Sequence, residues 1–344
     1  MTGKWLKRLS LALTLFLMIL LIAPATVVSA ERYVTLGDSI SFGLSDMTGP
    51  GFTPYGYTRM YQKQLGIADA DYLNLSYPGD TTRELSAVID SHSTDIRRAN
   101  RITISIGSNH LLGPAISSIM GLYNIDPANY ENDLNGAKML YDLALAVKAD
   151  WAVAAPTPAD RIAWLMNPLR PEAIEFNAAC AAGTALFALH WPVIMMRIRL
   201  RAPLARIYVN NLYNPLYASK TVAPAMKPLY DTLGLYMSRI NANITRYASL
   251  YRYKVINIAS PFVEPANYAY LLSFPYLDMP TWLMAPVTFN IPAALMIAQS
   301  PMFVPGSDYA TDPADPFWPF FFACDPHPTT AGHTLIFQKL VAAG

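Results

Sequence analysis

The chain has 344 residues, of which 53% are hydrophobic and only 14% are charged, and its formal charge at pH 7 is +1. Outside the first 30 residues, no basic run or stripe remains that could neutralise phosphates, so we expect no nucleic acid among its partners. The two cysteines and five histidines are scattered without Cys-x-x-Cys or His-x-x-x-His spacing, so the sequence gives no indication of a bound metal.

Residues 1–30 have the features of a cleavable signal peptide. A start with three cations is followed by an apolar core over residues 11–23 and by a small-residue cleavage site that ends at Ala30. The apolar core is shorter than the about 20 residues that span a bilayer, which disfavours an uncleaved anchor. We therefore expect secretion, with cleavage after Ala30.

Short apolar runs bounded by turn residues alternate with helical patterns along the rest of the chain. Five runs predict buried parallel strands: Tyr33–Leu36, Tyr72–Leu75, Ile102–Ile106, Arg206–Val209 and Lys254–Ile258. The predicted helices are Tyr57–Leu65, Thr82–Asp90, Tyr130–Lys148, Met226–Tyr251 and Thr330–Val341. This alternation predicts an α/β fold with an open parallel sheet, in which ligands bind at the carboxyl ends of the strands.

Two connections are longer than simple crossovers and predict insertions at about 113–200 and 262–322. The first contains the apolar run Ala182–Met196, for which a buried helix kinked near Pro192 is favoured over a membrane-facing lid. The second is rich in Pro, Met and aromatic residues. Because both insertions emerge at strand ends, we expect them to overhang the ligand-binding edge as an apolar lid.

Residues suited to acyl transfer follow several of these strands. Ser39 comes after the first strand, Gly79 lies in the turn after the second, and Asn109 follows the third. Near the C-terminus, Asp325 lies two residues before His327. Together they offer a nucleophile, a base with an orienting group, and donors for a developing negative charge.

At these positions the chain resembles the SGNH hydrolases, the superfamily of GDSL-type lipases and esterases. The resemblance rests on blocks that occur in family order: Gly37–Ile40, Pro78–Thr82, Gly107–Asn109, and Asp325–Pro328 with Gly332 and His333. It implies a three-layer α/β/α sandwich with a parallel, flavodoxin-like five-stranded sheet over residues 31–344, outside the two insertions. The Gly-x-Ser-x-Gly pentad of the α/β-hydrolases, which use the same triad, does not occur.

The resemblance implies a role for each site residue. Ser39 would be the nucleophile, and His327 the base that Asp325 orients. The backbone N–H groups of Ser39 and Gly79 and the side-chain amide of Asn109 would form the oxyanion hole. This mechanism needs no metal and no organic cofactor.

The chain departs from the family pattern at two points. His110 stands where many relatives have Asp, and it could perturb the pocket. Asp325 precedes the histidine by two residues instead of the commoner three, so a backbone carbonyl could orient the ring instead. Asp38, by contrast, is expected to be a turn and helix-cap residue, and His333 a packing or surface residue.

The sequence thus predicts a secreted serine ester hydrolase, a lipase or carboxylesterase, that acts on small-molecule or lipid esters and contacts lipid interfaces transiently. A carbohydrate O-deacetylase is the alternative, because aromatic residues also stack on sugars. A non-catalytic secreted lipid-binding protein is a less favoured one. Cys180 and Cys324 could form a disulfide, or could be two free buried thiols.

Overall fold

The structure is a computed structural model that describes residues 31–44, 55–126, 129, 158–216, 227–264, 327–328 and 330–344. The expected signal segment, the predicted helix Tyr130–Lys148 and most of the second insertion lie outside these residues. The boundary after residue 30 and the bounds of the two insertions therefore stay predictions.

Five parallel strands form one sheet in the order β2-β1-β3-β4-β5. Their bounds are β1 Tyr33–Gly37, β2 Tyr72–Ser76, β3 Arg101–Ser105, β4 Arg206–Asn210 and β5 Tyr253–Ile256. This order and the helices on both faces confirm the predicted flavodoxin-like α/β fold. Gly37 at the end of β1 pairs with Ser76 of β2 and with Ser105 of β3, so these three strands end at one level.

The described residues contain ten α-helices and a short 3-10 helix at Asp69–Asp71. The helices are α1 Ser39–Phe42, α2 Gly56–Gln64, α3 Thr82–Ser91, α4 Ser93–Arg98, α5 Asn109–Leu122, α6 Pro158–Met166, α7 Pro171–Arg201, α8 Lys227–Tyr247, α9 Ala259–Phe262 and α10 Thr330–Ala343. Helices α2 and α10 cover one face of the sheet, where Tyr33, Tyr57 and Ile336 are buried. The core of the opposite face includes residues of α3, α5, α7 and α8.

Helix α3 has a capping box that fixes its start directly after the turn at Gly79. The Thr81 hydroxyl accepts a hydrogen bond from the Arg83 N–H, and the Glu84 carboxylate accepts one from the Thr81 N–H. These bonds satisfy donors that a helix otherwise leaves unpaired at its first turn. The capping box therefore anchors one of the loops that carry predicted site residues.

Helix α7 contains the apolar run of the first insertion and continues through Pro192. One face is buried in the core through Phe187, Trp191 and Ile194, which agrees with the buried helix favoured by the sequence. The opposite face is exposed. Among the described residues, α7 is also long and apolar enough to cross a membrane by length and composition alone, a test that core helices of soluble proteins also pass.

Helix α7 passes very close to the start of α5 at Gly183. A Cβ atom added to Gly183 would lie 2.1 Å from the carbonyl oxygen of His110, well inside van der Waals contact. One turn further, Phe187 packs edge-on against the His110 ring, with centroids 5.8 Å apart. Glycine is therefore needed at position 183 for α7 to pack against α5.

Replacing Gly183 by alanine tests this close approach. In a helix interior, Gly→Ala usually raises stability by about 0.5–1 kcal/mol. At Gly183 the new methyl group would force α7 and α5 apart, so we expect the free energy of unfolding to fall by about 1–3 kcal/mol. Urea denaturation measures it.

Gly234 in α8 provides the matched control. Its added Cβ would meet only the Asn214 Nδ2 atom, at 3.4 Å. Gly234→Ala should therefore leave stability unchanged or raise it. Equal stabilisation by both substitutions would show that the contact between α7 and α5 is not tight.

Candidate active site

Ser39 is the first residue of α1, directly after the turn that ends β1. Asp38 caps this helix, because its Oδ1 atom accepts a hydrogen bond from the Ile40 N–H at 3.1 Å. Gly43 ends the helix in the left-handed conformation, with φ of 90°. The strand, the cap and the four-residue helix thus hold Ser39 at the carboxyl edge of the sheet, where its side chain is buried.

Gly37 makes this turn sterically possible. Its φ is +135°, and an added Cβ would lie 1.9 Å from the carbonyl oxygen of Ser105 on β3. That same carbonyl accepts a hydrogen bond from the Asp38 N–H at 2.9 Å. A side chain at position 37 would separate the two strands at the level of Ser39.

The structure brings Ser39 and His327 together although they are 288 residues apart. The Nε2 atom of His327 lies 2.6 Å from the Ser39 Oγ atom, within hydrogen-bond distance. This geometry suits transfer of the serine proton to the ring. Asp325, the expected orienting carboxylate, lies outside the described residues, as does Cys324.

The turns that carry Gly79 and Asn109 are joined to each other. The Asn109 side-chain amide donates one hydrogen bond to the Asp80 carbonyl, at 2.9 Å, which leaves its second N–H for another acceptor. Gly79 has φ of +87°, and an added Cβ would meet no atom within 4 Å, so its backbone borders open space. Both predicted oxyanion donors therefore lie on turns fixed at the same edge of the sheet as Ser39.

The Asp38 carboxylate links the turn that follows β1 to the turn that follows β3. Its Oδ2 atom accepts a hydrogen bond from the Ser108 hydroxyl at 2.7 Å. Burial raises the pKa of Asp38 to about 6, against the opposing effect of the hydrogen bonds from Ser108 and the Ile40 N–H. Asp38 is thus the cap residue that the sequence predicts, and it is also a bridge to the turn before Asn109.

His110 joins α5 to α3. Its Nε2 atom accepts a hydrogen bond from the Thr82 N–H at 3.2 Å and lies 2.9 Å from the Thr82 hydroxyl. The Nδ1 atom of His190, on α7, lies 3.0 Å from the same hydroxyl. Burial and, to a smaller extent, the nearby His190 lower the pKa of His110 to about 4, so the ring is neutral at pH 7 and can accept the bond.

His333 is a packing residue of α10. It is fully buried, its ring stacks on Tyr57, and its Nδ1 atom accepts a hydrogen bond from the Tyr57 N–H at 3.4 Å. The other ring nitrogen lies 3.1 Å from the Leu44 carbonyl oxygen. These bonds attach the helix that follows His327 to the segment that follows Ser39.

A pocket opens beside the Ser39–His327 pair, and most of its lining is apolar. Ser108 and Asn211 contribute polar groups, and the apolar lining residues are Ile40, Leu112, Leu212, Tyr213, Pro215, Met237 and Ile258. Asn211 holds the pocket wall, because its Oδ1 atom accepts hydrogen bonds from the Ile258 and Ala259 N–H groups. From the sequence, apolar surface was expected from the insertions, whereas this wall comes from the ends of β4 and β5 and from α8.

Cys180 lies in the buried face of α7, and burial raises the pKa of its thiol to about 12. Since Cys324 lies outside the described residues, the disulfide stays a hypothesis. In the part of the chain that the structure describes, no three His, Cys, Asp or Glu side chains cluster as metal ligands would.

Residues 33–146 match the model of the GDSL-like Lipase/Acylhydrolase family. Phospholipase A1 from Streptomyces albidoflavus is similar in structure, with a TM-score of 0.50 and 14% identity over 92% of this chain and 100% of that one. A lipase from a goat rumen metagenome has a TM-score of 0.49 and 15% identity, over 91% of this chain and 97% of that one. No curated protein sequence matches the chain.

The matched region contains the first three sequence blocks, with Ser39, Gly79 and Asn109. The strand order of the sheet and the similarity to the Streptomyces enzyme show that the part of the chain with these three residues has the fold of that enzyme. The members of that family are ester-cleaving hydrolases, and the match supports an activity of this general class. Over residues 33–146 the chain therefore resembles the GDSL-like lipases and acylhydrolases, the SGNH hydrolase superfamily that the sequence blocks indicate.

Proposed function

We propose that this protein is a secreted serine hydrolase that cleaves lipid-like carboxylic esters through an acyl-enzyme on Ser39. The observation that carries the proposal is the 2.6 Å contact between Ser39 Oγ and His327 Nε2, at the edge of an apolar pocket that both residues help to line. Secretion is proposed from the signal-like segment at residues 1–30.

Acylation begins when His327 Nε2 takes the Ser39 proton and Oγ attacks the ester carbonyl carbon. The carbonyl π electrons move onto oxygen, which becomes negatively charged in a tetrahedral intermediate. The intermediate collapses, the bond to the alcohol oxygen breaks, and the imidazolium gives its proton to the leaving alkoxide. Water, deprotonated by His327, then attacks the acyl carbonyl carbon. As this second tetrahedral intermediate collapses, the bond from the acyl carbon to Ser39 Oγ breaks, the imidazolium gives its proton to Oγ, and the carboxylic acid leaves.

The negative oxygen of both tetrahedral intermediates is assigned to the N–H groups of Ser39 and Gly79 and to the Asn109 amide. Two observations support this assignment: Gly79 borders open space, and the bond from Asn109 to the Asp80 carbonyl fixes the amide rotamer before substrate arrives. Donors that are fixed in advance stabilise charge in the transition state without reorganisation.

Asp38 supplies a negative charge close to the base. Attraction to His327 is one of the effects that oppose the rise of the Asp38 pKa. By reciprocity, ionised Asp38 favours the imidazolium that forms during acylation. We assign ring orientation to Asp325, on the family pattern alone.

The pocket lining favours an acyl chain over a sugar. Seven of its eleven lining residues are apolar. Burial of methylene groups on such a surface is worth about 0.8 kcal/mol each, whereas sugar hydroxyls would lose hydrogen bonds to water. A non-catalytic lipid carrier is disfavoured because it would not need the Ser39–His327 pair.

Labelling with a fluorophosphonate tests the nucleophile. Ser39→Ala should abolish labelling and lower kcat for a soluble ester by at least about a thousandfold, because it removes the attacking oxygen. Ser41→Ala is the matched control: Ser41 is also buried, but its hydroxyl bonds to Tyr57. Equal labelling of both variants would contradict the assignment.

A series of chromogenic esters of increasing acyl length tests the substrate class. We expect kcat/KM to rise from acetyl towards medium and long chains. Met237→Phe should narrow the pocket and lower kcat/KM for the longer esters by about tenfold relative to the acetyl ester, whereas Met237→Leu conserves the volume and should keep the profile. Activity confined to acetyl esters of sugars would contradict the lipid assignment in favour of a deacetylase.

The raised pKa of Asp38 predicts a pH dependence of stability. A carboxyl group with a folded-state pKa of about 6, above the ordinary 3.8, stabilises the fold below about pH 4, and this contribution is lost as the pH rises through 6. The shift corresponds to about 3 kcal/mol. The stability of Asp38→Asn relative to the parent protein should therefore increase between pH 4 and pH 7 in urea titrations.

Asp69 provides a control of opposite sign. The hydrogen bond from Lys63 lowers the pKa of this exposed carboxyl group, so its contribution to stability is present above the ordinary pKa and lost as the pH falls. Asp69→Asn should lose stability relative to the parent at neutral pH and approach it in acid. The same trend in both variants would show that Asp38 has no raised pKa.

A further inference from the structure

Five large apolar side chains form one row on the exposed face of α7. Their spacing alternates between three and four residues, which places them on one side of the helix. The row consists of Leu186, Leu189, Val193, Met196 and Leu200, with exposed fractions of 48%, 66%, 46%, 43% and 74%. It is about 21 Å long at 1.5 Å per residue, and we call it the outer row.

The outer row is unusual because the opposite face of the same helix segment is apolar as well. Phe187, Trp191, Met195 and Ile198 are fully buried against the sheet and the neighbouring helices. A helix that is apolar on all sides is normally covered on all sides, by protein or by lipid. Contiguous exposed apolar surface of this kind marks an interaction site.

Arginine side chains flank the outer row at its C-terminal end. Arg197 and Arg201 share the single carboxylate of Asp90, at 2.7 and 3.0 Å. On the other side, Arg199 donates to the backbone carbonyls of Tyr251 and Arg252. Helix α4, which contacts α7, ends in the exposed Arg97 and Arg98, and Arg252 provides one of the carbonyls that Arg199 binds. The carboxylates of α3 and α4 at this end are Asp90 and Asp95.

An apolar row flanked by arginines fits the surface of a membrane that contains anionic phospholipid. Leucine, valine and methionine side chains would enter the boundary between headgroups and acyl chains, and the guanidinium groups would remain at the level of the phosphates. Each basic residue near such a surface contributes attraction that salt screens. A neutral apolar partner would leave this excess positive charge without a counterpart.

We propose that the outer row of α7 is a docking surface for membranes with anionic phospholipid, on which the helix lies parallel to the bilayer plane. Spanning the bilayer is excluded for the folded chain, because the inner face of α7 is part of the protein core. This docking surface rests on the proposed function in one respect: the choice of lipid as partner follows in part from the proposed cleavage of lipid-like esters.

Cosedimentation with vesicles tests the proposal. The secreted protein should bind vesicles of phosphatidylcholine with phosphatidylglycerol more tightly than vesicles of phosphatidylcholine alone, and added salt should weaken the binding. Val193→Glu should weaken it, and Leu189→Glu with Val193→Glu should lower the partition coefficient by at least about tenfold, because charges would enter the interface. Circular dichroism and Tm verify that each variant is folded.

Val341→Glu is the matched control. Val341 is 40% exposed, close to the 46% of Val193, but it lies on α10, which covers the opposite face of the sheet. The substitution is chemically identical, so binding of Val341→Glu should equal that of the parent. Equal loss of vesicle binding in Val193→Glu and Val341→Glu would show that only the net charge of the protein matters, and it would overturn the proposal.

Two activity assays separate this proposal from the proposed function. Hydrolysis of a soluble short-chain ester should be unchanged in the outer-row variants, whereas hydrolysis of esters presented in anionic vesicles should fall with binding. Vesicle binding without any ester hydrolysis by the parent would contradict the proposed function and leave the docking surface intact. Unchanged vesicle binding by the double variant would overturn the docking surface. So would light scattering that shows a dimer of the parent protein and a monomer of the double variant.

Discussion

The approach of β1 to β3 at Gly37 is the constraint on which the rest of the site depends. Because residue 37 has no Cβ, the Asp38 N–H reaches the Ser105 carbonyl and the chain turns at once into α1. Ser39 is thereby held level with the turn that follows β3. The bond from Ser108 to Asp38 then locks the two turns together. The position of the serine is thus set by backbone contacts, before any catalytic partner is considered.

The strands could be predicted from local sequence alone. Runs rich in β-branched and aromatic residues identify all five strands, because a strand buried on both faces tolerates little else. The sequence predicted no helix at the position of α5, where Gly113-Pro114 is typical of a break. The helix continues because Pro114 loses only the hydrogen bond to the His110 carbonyl, while Leu111 and Ala115 remain buried in the core.

Features that depend on contacts distant in sequence could not be predicted. Nothing near Thr82 indicates that His110 and His190 meet at its hydroxyl, 28 and 108 residues away. The pocket wall was missed for the same reason, because Asn211 acts through backbone groups of another strand end. The apolar pattern of α7 predicts a buried helix but cannot show which face is covered, since both faces have the same composition.

The 288-residue separation of Ser39 and His327 also has a consequence for folding. The contacts among β1, β2 and β3 close much shorter loops, and loop-closure entropy grows with length. The sheet can therefore assemble before the C-terminal segment docks, whereas the reactive pair forms only when α10 has packed against α2. During refolding, recovery of activity reports this last long-range closure, and secondary structure reports an earlier event.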